Sequence, residues 1–210
     1  GMSESLAVEN PENSINPIQV WLSAGFVIWG MGFFAFTGYY FWQWIRLRRS
    51  LATAVQGDSQ PSAESQEKGT GRTGNKIPVW ESDRIGGAFV SGLLRPAIYL
   101  PAGLSGKGRE YILCHERIHV RRGDYLVRLL GLGMVAVHWF NPLAWLAFRL
   151  MCTDMEMSCD EKVLQIIGEE MRESYSRVLL AEAEKQSRAV LPPAFGRSDT
   201  YLRIRNILHC

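Results

Sequence analysis

His115-Glu116-Arg117-Ile118-His119 places two imidazoles and a carboxylate at the spacing that lets one face of a helix grip a metal ion. Residues four apart stand about one turn apart, so His115 and His119 can bind one zinc ion while Glu116 points at the remaining ligand position, where water binds. A zinc peptidase is the expectation, built on a fold that buries this helix. The flanks agree with a helix. Ser105 suits an N-cap, Gly106 to Arg122 contains no proline, and Gly123 follows a last turn carrying Arg121 and Arg122, whose charge suits the negative end of the helix dipole. Tyr111, Ile112, Leu113, Cys114 and Ile118 supply the apolar surface that a buried helix needs. On the pentapeptide alone, the competing reading is a helix whose histidines satisfy only local hydrogen bonds. The rest of the chain must therefore supply a third ligand.

The chain has 210 residues and a formal net charge of +2, which suits one domain with a core plus an appendage and argues against a strongly electrostatic partner. Direct nucleic-acid binding is not expected. The charge is unevenly spread: none occurs between Glu12 and Arg46, and Val20 to Trp42 is almost wholly apolar. That run is long enough to cross a bilayer, with Trp21 at one end and Tyr39, Tyr40, Trp42 and Trp44 at the other as interfacial anchors. Glu4, Glu9 and Glu12 precede it; Arg46, Arg48 and Arg49 follow, which by the positive-inside rule turns the C-terminal side to the cytoplasm. The run is too long, starts too late and lacks the basic leader of a cleavable signal peptide. Gly1 before Met2 suggests a piece of a longer protein. Cys114, Cys152, Cys159 and Cys210 have no paired spacing and are expected to be free thiols in the cytoplasm, Cys159 as a buried thiol rather than a ligand.

Ser50 to Lys76 is rich in Ser, Gly, Gln and charge, which reads as a flexible linker. From Ile77 the texture changes to short apolar runs, Val79 to Ser82, Ala88 to Leu94 and Ala97 to Leu100, which suggest a small antiparallel sheet with Pro96 and Pro101 on an edge strand. A second uncharged run, Leu129 to Phe148, is divided by Asn141-Pro142, a favoured N-cap and first helical residue. It is expected to form a hairpin packed on the catalytic core or lying shallowly in the membrane, with Arg128, His138 and Arg149 at polar edges. The helix from Pro142 is expected to run to Gly168, and a last one to span about Met171 to Arg188.

Catalytic zinc takes three protein ligands and water. Glu156 and Asp160 lie four apart, so Glu156 can bind the ion while Asp160 accepts the other ring N–H of a bound histidine and fixes its tautomer. The rival third ligand, His138, sits at the helix break and suits a structural bond to the turn; His209 has less support.

In order, Gly92-Leu93-Leu94-Arg95-Pro96-Ala97-Ile98-Tyr99-Leu100-Pro101, Leu113 to His119 with Arg122 and Asp124, His138 to Trp145, and Asp154, Glu156, Cys159, Asp160 and Glu161 resemble the membrane-embedded β-lactam sensor and anti-repressor family of signal-transducer metallopeptidases. The resemblance covers about Ile77 to Arg188. It implies an α+β, mainly helical gluzincin peptidase domain with Zn2+ held by His115, His119 and Glu156, Glu116 as general base and Asp160 behind a ligand. It implies as partners the lipid bilayer and a cytoplasmic repressor as substrate, with self-cleavage near Pro192 to Gly196 as a further expectation. Family chains often carry a penicillin-binding sensor domain after the peptidase; this sequence stops at Cys210. The expected division is an extracytoplasmic segment 1–17, a transmembrane helix 18–45, a basic juxtamembrane segment and linker 46–76, the peptidase domain 77–188 with the apolar hairpin 126–150, and a C-terminal segment 189–210. Two other readings stand beside it: a non-catalytic membrane signalling module, and a broad-specificity quality-control protease of the membrane.

Overall fold

The computed structural model describes residues 16–51, 54–56, 77–188 and 200–209. Helix α1, Pro17–Leu51, comes first, followed by strands β1 (Val55–Gln56), β2 (Val79–Ser82), β3 (Phe89–Ser91) and β4 (Ala97–Pro101). Helices α2 (Gly106–Arg122), α3 (Asp124–Val137), α4 (Pro142–Ile167), α5 (Arg172–Arg188) and α6 (Thr200–His209) complete an α+β fold. Of the stretch read as a linker, Val55 and Gln56 are a strand; 57–76 lie outside the described residues, as do Pro192 to Gly196.

The sheet is mixed rather than antiparallel. Its order is β1-β2-β4-β3, with β2 and β4 parallel (Val79 opposite Ile98) and both outer pairings antiparallel. Apolar alternation sets which face of a strand is buried but carries no information on strand direction, so the reading from texture could not distinguish the two. β4 is therefore interior, contrary to the edge position expected from its prolines. Both prolines are accommodated without a lost ladder bond. Pro96 precedes the strand; Ile98 and Ala102 donate to Pro78 and Ser82 on the β2 side, so the nitrogen of Pro101 faces the other side, past the last β3 pairing at Phe89 and Tyr99. Among the described residues the edges of the sheet are β1 and β3.

Helix α2 is buried on two sides. Ile112 and Leu113 pack on Val79, Ile98 and Leu100 of the sheet. Tyr111 and Ile118 face Cys159, Val163 and Leu164 of α4, Tyr175 and Leu179 of α5 and Ile207 of α6. Ser105 holds the N-cap position without a side-chain hydrogen bond. At the other end Gly123 adopts φ 72°, a left-handed conformation that suits glycine, and its N–H returns to the His119 and Val120 carbonyls. That turn lets α3 start at once, with Asp124 in its first turn.

Asn141 caps α4 by accepting from the Leu143 N–H, and Pro142 opens the helix, as its sequence suggested. The α3–α4 pair rises beside α1. Trp29 Nε1 donates to the Val137 carbonyl at 2.9 Å, Trp139 Nε1 to the Trp29 carbonyl at 3.3 Å, and Phe36 meets Trp145 edge-on at 5.6 Å. A Cβ at Gly32 would lie 2.2 Å from the Trp139 ring, so this contact needs glycine. Among the described residues α1 is the one helix long and apolar enough to cross a membrane, and of its side chains only Leu47 is buried.

Candidate metal centre

Four residues singled out from sequence, His115, His119, Glu116 and Glu156, line one cleft of about 270 Å3. Its floor is α2 and α4, one wall is β3, and another is Trp44 and Leu47 from the last turns of α1. His115 Nε2 and His119 Nε2 stand 3.0 Å apart; Glu156 sets Oε2 at 3.3 Å from the first and Oε1 at 3.6 Å from the second. Ligand atoms around a tetrahedral zinc with bonds of about 2.0–2.2 Å stand about 3.3–3.6 Å from one another. The two histidine-to-carboxylate distances match that spacing, and the paired imidazoles stand slightly closer. Cys159 is also near: its donor atom and those of the two histidines all lie within 4.8 Å of one another, but its Sγ reaches the His115 carbonyl at 3.5 Å.

The far side of each ring is committed. His119 Nδ1 lies 2.7 Å from Asp124 Oδ2, and His115 Nδ1 lies 2.9 Å from the Tyr175 hydroxyl and 3.2 Å from Asp160 Oδ1, with the hydroxyl donating to Asp160 at 2.7 Å. With Nδ1–H turned outward, neutral imidazoles would aim both Nε2 lone pairs and the Glu156 carboxylate at one point. Such a cluster of lone pairs calls for a cation.

Charge counting agrees. Glu116, Asp124, Glu156 and Asp160 are buried, against the guanidinium groups of Arg128 and Arg203. Arg203 forks onto Asp160 at 2.7 and 2.8 Å and reaches Glu156 at 3.1 Å; Arg128 also donates to Glu156. Including Arg122 on Asp124 and Glu182 at the cleft wall changes both signs equally. Neutral imidazoles thus leave two uncompensated negative charges, the charge of one divalent cation. Without it, protons serve. Burial alone would lower the His119 pKa, but Asp124, with Cys159 and Glu156, raises it to about 11, and His115 is likewise raised by Tyr175 and Asp160 against burial. Burial opposes ionisation of Glu156 and Asp160, yet Arg203 with both histidines holds Glu156 well below the ordinary range, and Arg203 with His115 holds Asp160 at about 2.

Asp160, expected behind one of the two histidines, lies with Oδ1 3.2 Å from His115 Nδ1. Asp124, Tyr175, Arg128 and Arg203 were not assigned roles from sequence. Asp124 carried a weak signal, an acid directly after a helix-ending glycine and five residues past a candidate ligand; Tyr175 and Arg203, on helices α5 and α6, carried none. His138 is remote, with Nδ1 bonded to the Met134 carbonyl at 3.0 Å, in the structural role expected. The side chain of His209 lies outside the described residues.

The regulatory protein BlaR1 of Bacillus licheniformis is 31% identical over 134 residues, 62% of this chain and 22% of that protein. The methicillin resistance mecR1 protein of Staphylococcus aureus is 31% identical over 108 residues, 50% of this chain and 18% of that protein. The chain thus spans about a fifth of the length of the curated relatives it matches. A family profile described as BlaR1 peptidase M56 matches residues 3–207, almost the whole sequence, and so the chain belongs to the BlaR1 peptidase M56 family.

Proposed function

We propose that this protein is a membrane-anchored zinc metalloendopeptidase of a signalling system, cutting a peptide bond in a cytoplasmic repressor and in its own chain. The observation that carries the reading is the convergence of His115 Nε2, His119 Nε2 and the Glu156 carboxylate, with the outer ring nitrogens already engaged. Glu156 is preferred to Cys159 as third ligand because its two oxygens lie 3.3 and 3.6 Å from the two Nε2 atoms, whereas the Cys159 thiol, also beside both rings, is engaged with the His115 carbonyl.

His115, His119 and Glu156 would hold a zinc ion, which would supply Lewis acidity toward the scissile carbonyl and acidify the attacking water. Glu116 takes the proton of the attacking water and delivers it to the leaving amine. Asp124 and the Tyr175–Asp160 pair keep the Nδ1 protons in place, which holds both Nε2 lone pairs toward the centre. The substrate is held extended along the free edge of β3, Phe89–Ser91, which lines the cleft; the edge at Ala97 to Leu100, expected from sequence, is already paired on both sides.

Arg46, Arg48 and Arg49 beyond the apolar run favour a cytoplasmic peptidase face. The printed descriptions of the relatives, a regulatory protein and a methicillin resistance protein, favour a narrow regulatory substrate over housekeeping degradation. Metal analysis tests the centre: one zinc per chain in the wild type and Cys159→Ser, lost in His119→Ala and Glu156→Gln. Retention in Glu156→Gln with loss in Cys159→Ser would replace the ligand set. Mass spectrometry of the purified protein beside Glu116→Gln tests self-cleavage, since identical fragments from both would remove it.

A further inference from the structure

The α3–α4 hairpin presents Leu130, Met134, Phe140, Leu143, Leu146 and Leu150 to the outside, Leu130 and Leu143 at 72% and 69% exposure. No Asp, Glu, Lys or Arg occurs from Leu129 to Phe148. A face of this kind on a water-facing helix pair is unfavourable and marks an interaction surface. We propose that the occupant is lipid: the hairpin is re-entrant, entering the bilayer from the side of the metal centre and turning back near mid-depth.

Depth follows from α1, and the proposal rests on reading that helix as a membrane span. The hairpin tip touches α1 at Trp29, Gly32 and Phe36, the middle of the apolar run Val20 to Trp42. From Gly32 to Arg46 is about 20 Å at 1.5 Å per residue, more than the roughly 15 Å of half a hydrocarbon core. The 14 residues of α3 cover the same distance, about 20 Å, and bring Asp124 back to the head-group level. Arg149, about 10 Å along α4 from the tip, has a side chain long enough to snorkel toward that level.

Much of the turn's hydrogen-bonding capacity is met within the protein. The Met134 carbonyl takes the His138 N–H and ring nitrogen, the His138 carbonyl takes the Asn141 N–H at 2.8 Å, and Asn141 Oδ1 takes the Leu143 N–H at 3.0 Å. The Trp139 carbonyl accepts from Trp145 Nε1 at 3.0 Å, and the Val137 carbonyl from Trp29. Water would satisfy these groups unaided; hydrocarbon would not, and irregular backbone at membrane depth persists only where its polar groups are paired.

Two consequences join this to the site. The hairpin's base carries Asp124 and Arg128 on α3 and Glu156 and Asp160 on α4, so the membrane holds the helices that shape the metal centre. The cleft then opens at the bilayer surface, beside Trp44 and Leu47, and takes a peptide segment that can reach that surface.

Carbene photolabelling in nanodiscs tests the depth, using the whole chain and phosphatidylcholine with a diazirine either at the acyl chain end or near the head group. The expected result is several-fold more adduct from the chain-end probe on peptides containing Phe140 and Leu143, matching those containing Met31. Labelling of the tip by the head-group probe alone would make the hairpin shallow and overturn the proposal. No labelling by either, with α1 labelled, means that protein or water covers the face and overturns it too. An unlabelled α1 removes both the span and the hairpin. Glu116→Gln should give the same adducts, so a failed peptidase reading leaves this result distinguishable.

Discussion

The two ends of the α3–α4 hairpin live under opposite rules. At its base, buried Asp124, Glu156 and Asp160 and half-buried Arg128 are dense in charge and held in a network with His115, His119, Tyr175 and Arg203. At its tip, about 20 Å away, there is no charge, large apolar side chains point outward, and several polar atoms are tied within the turn and to α1. The difference teaches that burial and polarity are set independently along one helix pair. The base buries charge because chemistry requires it and partners offset the desolvation; the tip exposes apolar surface because its surroundings are apolar as well.

The largest effect belongs to the base. Glu116→Gln should lower peptide hydrolysis by about 10²–10⁴-fold, the scale of a lost general base, while zinc content stays unchanged. A fragment assay with parallel metal analysis checks this, and unchanged turnover would end the catalytic reading of the base. Asp160→Ala should cost about 3 kcal/mol of stability, read as a lowered unfolding midpoint, because Arg203 and Tyr175 lose a buried partner.

A paired measurement contrasts the two environments directly. Ile98→Ala, in the sheet core, should cost about 2–5 kcal/mol, whereas Leu143→Ala in a bilayer should cost under about 1 kcal/mol, since lipid fills the space left by a lipid-facing side chain. Equal losses would mean that the tip packs against protein. Asp124→Asn should weaken zinc binding by about 10–100-fold in a chelator competition, through loss of the carboxylate behind His119. Gly32→Ala should cost about 1–2 kcal/mol in a denaturation series, because its methyl meets the Trp139 ring. It should leave zinc affinity within about twofold, as sites this far apart are usually independent.

Local periodicity made much of this legible. His115 and His119, and Glu156 and Asp160, share helix faces because 3.6 residues make a turn, and Asn141-Pro142 marked the turn between α3 and α4. Strand positions were legible but their directions were not, which misplaced β4 at an edge and with it the strand offered to substrate. Asp124 was visible only as a motif residue until Gly123 was seen to fold it back onto His119.

By itself the sequence determined the elements whose signals lie within a few residues: the apolar α1, the helix bearing the paired histidines, the break at Asn141 and the paired acids of α4. Tertiary structure decided what stands behind and beside them. It decided the parallel pairing of β2 with β4, the closure of the centre by Tyr175 and Arg203 from sites 60 and 43 residues distant from their partners, and the height of the hairpin along α1. The physical reason is one of range. Helix periodicity and capping are fixed by neighbours in the chain, whereas those contacts are selected only when distant segments pack and each buried charge finds its partner.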